Sequence, residues 1–356
     1  MTTPFYDPAK SYEENFNQGP FGAFADGQVY KNKNKPEYKF LGLKLFSPFG
    51  IPAGPLLNGK YVKAALDKGF DIAVYKTVRT HKYPCAPWPN VLSVQVKDQL
   101  SPDVAQKGVI ANRNYNSGHL SITNSFGVPS FDPDFWQADL RDTVSYAPDG
   151  QLVIGSFQGT LNPEGDKEKY IKDFVLAAKL VKETGVKVLE VNLSCPNEGT
   201  SHLLCFDVDS TKNIVEAIKN EIGNSPLIIK ISYYQDKALL KHLIEEVGAI
   251  VDGISAINTI PAKILDDKGN QALPGKGRLI SGVCGHAIKW AGLELVNTLT
   301  KLRSDLNFKY TIMGVGGVTR KEDFVEYKKA GADAVMSATG AMWNPYLAQE
   351  IKESNI

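Results

Sequence analysis

Eight apolar runs recur along this chain, centred on Ile51, Ile72, Val153, Leu189, Ile228, Ile254, Ile312 and Val335, with helix-patterned segments between them. Each run is continuously apolar rather than alternating, the mark of strands buried on both faces of a parallel sheet. The intervening segments carry apolar residues at helical spacing; in 167–184 these are Phe174, Ala177, Ala178 and Val181. A helix over 59–68 ends where Gly69 can take the left-handed position past its C-terminus. Eight parallel strands with helical crossovers close most economically into an α/β (β/α)8 TIM barrel. An open doubly wound sheet is the alternative, but no Gly-x-Gly-x-x-Gly turn follows the first run.

Three stretches break the alternation. Residues 1–38 are rich in Gly, Asn, Lys, Tyr and Phe without a period, and read as an irregular N-terminal arm that wraps the domain or touches a partner. Residues 39–356 then form a single domain. Residues 78–149, a proline-rich insertion after the second strand, read as extended pieces and loops covering one end of the core. A Gly/Lys-rich loop is expected to follow Asn258.

Among the 356 residues the charges nearly cancel, to +1, so nothing electrostatic favours nucleic acid or acidic lipid. No apolar run approaches the length that spans a bilayer, and the N-terminus is polar and acid-bearing, unlike a signal peptide. Cys85, Cys195, Cys205 and Cys284 show neither a disulfide framework nor the spacing of a zinc or iron–sulfur site. The expected compartment is the cytoplasm.

Barrel enzymes place their chemistry at the C-terminal ends of the strands. The seventh and eighth strands end in GVGGV and SATG, so Gly316, Gly317, Thr339 and Gly340 are candidates for a phosphate cradle. Either turn alone would be an ordinary glycine turn; the pair at these two strands favours phosphate. Lys76 and Lys230 end apolar strands and call for an anionic partner, such as the N1–C2=O edge of a reduced flavin. Asn124, Asn192, Asn197 and Asn258 can together read a flat ring of alternating N–H and C=O groups. The fourth strand runs into NLSCPN, where Pro196 stops it; Cys195 there is either an ordinary buried thiol beside a turn or, flanked by two carboxamides, a group suited to proton abstraction.

NLSCPN at 192–197, YKT around Lys76, NSFGVP at Asn124, IIKIS around Lys230, INT at Asn258 and GVGGV at Gly314 occur in one order. That ordered set resembles the dihydroorotate dehydrogenases, above all the soluble class 1 enzymes with a cysteine base, from about Phe40 to Asn344. The resemblance implies an FMN-containing barrel that oxidises dihydroorotate to orotate in de novo pyrimidine biosynthesis. It implies Cys195 as the base that takes the C5 proton while a hydride leaves C6. It further implies substrate contacts from Lys76, Asn124, Asn192, Asn197, Asn258 and Thr259, and from the backbone of Phe126, Gly127 and Val128. Flavin contacts are implied for Ala53, Gly54, Lys76, Thr77, Asn192, Lys230 and Asn258. Ser281, Gly282 and Gly285 are implied beside the phosphate, which Gly316, Gly317, Thr339 and Gly340 would hold.

Cys195 and the polar arm depart from the membrane-bound class 2 pattern of a serine base and an apolar helix pair, which disfavours quinone. Fumarate is the expected acceptor, with NAD through a separate subunit as the alternative, and a homodimer is expected. Asn258-Thr259 also resembles dihydropyrimidine dehydrogenase, which keeps uracil-type substrates open. A reading of another class is a non-catalytic flavin- or phosphate-binding barrel.

Overall fold

A computed structural model of the chain describes residues 3–116, 118–162, 164–194 and 203–354. All eight apolar runs become strands: Phe49–Ile51, Ile72–Val78, Leu152–Phe157, Val188–Asn192, Leu227–Ile231, Gly253–Ala256, Thr311–Val315 and Ala334–Met336. Each pairs in parallel with the next, and the eighth closes on the first through Val335↔Phe49 and Met336↔Gly50. The expected (β/α)8 barrel is present.

Period-two alternation sorts each strand between the barrel interior and the helix layer. Ile72, Val74, Leu152, Ile154, Val188, Ile228, Met313 and Met336 fill the lower interior. A hairpin, Tyr38–Phe40 with Leu43–Leu45, plugs that end with Phe40 and Leu45, each 1 % exposed. The outward residues meet amphipathic helices. Helix Lys167–Lys182 starts at Asp166, whose side chain accepts from the Glu168 and Lys169 amides, and buries Phe174, Ala177, Ala178 and Val181. Burying Phe174 and Val181 contributes about 1.5–3 kcal/mol each.

The three irregular stretches are more ordered than their local patterns suggest. Residues 78–149 contain strands Val91–Gln95, Val109–Asn112 and Ser121–Asn124, and helices Pro102–Lys107 and Pro133–Tyr146. The segment after Asn258 is likewise no loop, since Ile260–Leu265 and Ile280–Gly285 are paired antiparallel strands. These five strands close into a second, smaller barrel. Their partners lie up to about 160 residues apart, as in Gly282↔Asn124, so no local period could reveal the pairing. Helix Pro133–Tyr146 did carry a signal: Asp132-Pro133 at its start, and buried Trp136, Leu140 and Thr143 at helical spacing.

The arm is also not irregular throughout. Tyr12–Gln18 is a helix whose Ser11 and Glu14 form a reciprocal capping box, a pattern visible in the sequence. Phe5, Tyr6, Tyr12, Phe16 and Phe24 are buried in the main core, so the arm wraps the barrel. No helix among the described residues is long and apolar enough to cross a membrane.

Candidate active site

The apolar floor of the barrel gives way one layer higher to Ser156, Glu190, Lys230 and Ser255, all buried. Ser156 Oγ donates to Glu190 Oε1 at 3.1 Å and lies 3.0 Å from Thr77 Oγ1. Burial pushes the Glu190 carboxyl up, opposed by the Lys230 charge, and pushes the Lys230 ammonium down, opposed by Glu190. A register shift between Tyr75 and Val78 on the second strand turns both Lys76 and Thr77 toward the cavity, which strict alternation would forbid.

Above this layer the carboxamides are each held through the Nδ2 donor, and Asn192 through its oxygen as well. Asn192 Nδ2 donates to Gln158 Oε1 at 2.7 Å, and its Oδ1 accepts from the Ser194 amide at 3.3 Å. Asn258 Nδ2 donates to the Ser194 carbonyl at 2.6 Å and to its Oγ at 3.0 Å. Asn124, at the end of Ser121–Asn124 in the small barrel, donates to Cys284 Sγ at 3.4 Å. Thr339 Oγ1 donates to the same sulfur at 3.4 Å. Burial is the largest influence on the Cys284 thiol and pushes its pKa up.

The turn after Asn124 is held in an unusual backbone conformation. Gly127 has φ 75° and Val128 φ 52°, and a β-branched residue rarely adopts such a value. Arg79, fully buried, clamps it: Nε donates to the Val128 carbonyl at 3.0 Å and Nη2 to the Gly127 carbonyl at 3.4 Å. Nη1 reaches the Gly159 carbonyl and Thr160 Oγ1, and the guanidinium lies 4.0 Å from the centre of the Tyr83 ring.

Across the mouth, Gly316 and Gly317 make a turn with φ 130° and 69°. A Cβ on Gly317 would come within 2.6 Å of Lys289 Cβ, so only glycine fits. Asp323 then fixes the chain entering helix Lys321–Lys329 by accepting from the Thr319 and Arg320 amides at 2.8 and 3.0 Å.

These groups surround one cavity of about 1200 Å³, open mouth included, at the C-terminal end of the strands. Ala53, Gly54, Lys76, Thr77, Asn124, Phe126, Gly127, Val128, Asn192, Lys230, Asn258, Thr259, Gly316, Gly317 and Thr339 all line it, as the sequence predicts. Ser281, Gly282 and Gly340 do not. Ser281 Oγ is spent on the Asn124 carbonyl at 2.9 Å, Gly282 packs under the Thr259 side chain, and Gly340 faces a neighbouring groove with Thr319 and Trp343. From the ISGVCGHA stretch it is Cys284 and Gly285 that reach the wall. Cys195 and Asn197 lie outside the described residues. Strand-end position selects Gln158 from the sequence, but not Arg79, Glu190 or Cys284. Of those three only Glu190, an acid inside an otherwise apolar strand, carried a local signal; Cys284 was hidden because its strand read as a loop.

The family model described as dihydroorotate dehydrogenase matches residues 105–354. The dihydroorotate dehydrogenase of Dictyostelium discoideum is 37 % identical over an alignment spanning 100 % of this chain and 98 % of the relative. The catalytic subunit of dihydroorotate dehydrogenase B (NAD(+)) of Thermodesulfovibrio yellowstonii is 32 % identical over 51 % of this chain and 58 % of its own length. The chain thus matches little more than half of that relative. In fold, it resembles a crystal structure of DHODH in complex with ferulenol from Eimeria tenella, with a TM-score of 0.71 at 17 % identity, over 92 % of this chain and 85 % of that one. The full-length relative, the family match and the barrel agree: the chain belongs to the dihydroorotate dehydrogenase family, flavin-dependent oxidoreductases that act on a CH–CH bond in pyrimidine biosynthesis.

Proposed function

We propose that this protein oxidises dihydroorotate to orotate with FMN as its flavin and fumarate as the oxidant that restores it. The observation that carries the reading is one cavity in which Lys76, Asn124, Asn192 and Asn258 share space with Lys230, the Gly316–Gly317 turn and Thr339. The wall leaves open space beside Gly54 and Gly127, where an added Cβ would meet no atom within 4 Å. When bound, FMN would supply a two-electron acceptor. Ala53, Gly54, Thr77, Asn192 and Asn258 would hold its ring system, and Lys230 would place positive charge at its N1 edge. Gly316, Gly317 and Thr339 would hold its phosphate, while Ser281, behind the wall, positions Asn124 through its carbonyl.

Lys76, Asn124, Asn192, Asn197, Asn258 and Thr259 would bind the dihydropyrimidine, and the backbone of Phe126–Val128 its carboxylate. Cys195 is the base for the C5 proton. A thiol must ionise to act so, and activity should rise with pH through a thiol ionisation. We assign residues 39–356 to one FMN-binding domain carrying the arm 1–38, place the protein in the cytoplasm, and take it to be a homodimer. The relatives named for NAD(+) motivate a second reading of the acceptor, in which a partner subunit takes the electrons.

The test is the visible spectrum of the purified protein. Anaerobic dihydroorotate should bleach it and fumarate should restore it faster than NAD(+) or a quinone. Cys195→Ala should stay yellow and resist bleaching. Bleaching by dihydrouracil but not dihydroorotate would overturn the substrate assignment.

A further inference from the structure

Gln158 follows directly on the third strand, Leu152–Phe157, and is 2 % exposed. Phe157 pairs with Val191, so Gln158 and Asn192, the next residue on each strand, stand side by side. The sheet still holds the chain at this point, because the Gln158 amide donates to the Val78 carbonyl at 3.1 Å. Glutamine is mostly an exposed residue, and burying its amide is costly unless a partner meets it. A methionine of like length would fill the same space without that cost, so packing alone does not explain the side chain.

The partner is Asn192, which lines the cavity where Gln158 does not. Gln158 Oε1 accepts from Asn192 Nδ2 at 2.7 Å, and Asn192 Oδ1 accepts from the Ser194 amide at 3.3 Å. The carboxamide of Asn192 is therefore pinned at both ends. Turning it over would set Oδ1 against Gln158 Oε1, two acceptors, and Nδ2 against the Ser194 amide, two donors. Both hydrogen bonds would be lost in a buried place, where polar groups left unpaired are costly. One Nδ2 proton is taken up by Gln158, and the other stays available to a ligand. Ser194 carries the constraint further, since its carbonyl and Oγ accept from Asn258 Nδ2 at 2.6 and 3.0 Å.

We propose that Gln158 is a positioning residue for the substrate: it locks the Asn192 carboxamide so that Asn192 donates to an oxygen of the pyrimidine ring. Gln158 touches neither substrate nor flavin and acts through Asn192. The locked amide favours a ring with a carbonyl at that position over one with an N–H there. This rests on the dihydroorotate reading above, which sets Asn192 against the ring.

The experiment is a double-mutant cycle on orotate binding, followed by the flavin spectrum of FMN-loaded protein. It compares wild type, Gln158→Met or Gln158→Leu, Asn192→Ala or Asn192→Asp, and the double variant, taking whichever of each pair loads with FMN. Flavin content and Tm, measured without pyrimidine, show that each protein compared is loaded and folded. Removing the Gln158 acceptor should raise the orotate Kd about fivefold, the worth of one neutral hydrogen bond. In the Asn192 variant the same substitution should change Kd less than about twofold, because a residue acting through Asn192 has nothing left to act on. An unaltered Kd in the Gln158 variant overturns the proposal. An equal rise in both backgrounds also overturns it, since Gln158 would then act through the packing of the site and not through Asn192. A wild-type protein that gives no spectral shift with orotate overturns the dihydroorotate reading and this proposal together.

Discussion

Asp323→Ala tests whether the turn that should cradle the phosphate is held from beneath by one buried carboxylate. Asp323 is fully buried. Its Oδ2 accepts from the Thr319 amide at 2.8 Å, Thr319 Oγ1 at 3.1 Å and the Arg320 amide at 3.0 Å, while Oδ1 accepts from Lys289 Nζ at 2.8 Å. In the alanine variant two amides lose their acceptor, at about 1–3 kcal/mol each. Lys289 keeps Glu326 at 3.0 Å, so its own loss is small. The sum is about 4 kcal/mol, within the range for breaking a buried ion pair. With an unfolding entropy of about 2.1 cal/mol/K per residue, a chain of 356 residues should lose about 5 °C in Tm.

Asp323→Asn keeps one acceptor oxygen and should lose about half as much. Scanning calorimetry on flavin-free protein reads the stability term, and fluorescence titration with FMN should show affinity falling about tenfold as the turn loosens. The pH dependence gives an independent check. Burial is the largest single influence on Asp323 and pushes its carboxyl up. The Lys289 ammonium and the backbone donors together outweigh it and hold the carboxyl below its ordinary value. A depressed folded pKa means stability that is fully present above the unfolded value of about 3.9 and lost as pH falls through the folded one. The gap between wild type and alanine variant should therefore stay constant above about pH 5 and close only below about pH 4. A Tm loss under about 1 °C, or a gap that closes near neutrality, would refute the reasoning.

Arg79→Met removes the donors to the Gly127 and Val128 carbonyls; orotate affinity should fall about tenfold by spectral titration while the protein stays yellow. Gly317→Ala forces a Cβ to 2.6 Å from Lys289 Cβ at φ 69°. Expressed protein should come out colourless, with an absorbance ratio showing little bound flavin, yet give the far-ultraviolet circular dichroism of the folded barrel.

The residues that local chemistry could place were placed. Apolar runs of the right length, separated by helical spacing, dictate parallel strands buried on both faces, and the strand-end rule then selects Lys76, Asn192, Lys230, Asn258 and Gly316. Asn124 was found by its motif rather than by its strand. The helices at Tyr12–Gln18 and Pro133–Tyr146 were legible in principle, through Ser11 with Glu14 and through Asp132-Pro133, but were masked by surrounding Gly, Pro and aromatic residues.

What the sequence by itself determined, then, is the barrel and most of the candidates around its mouth, because burial on both faces and strand direction are local properties. Only the tertiary structure decided which of them share a cavity. It joined Ile280–Gly285 to Ser121–Asn124 across about 160 residues, shifted the register near Tyr75 so that Lys76 and Thr77 both face inward, and turned Ser281 away to hold Asn124. It also carried Tyr6 to the pocket from the far end of the chain. Each of these depends on a pairing or packing partner remote in sequence, and no window of neighbouring residues encodes a partner it does not contain.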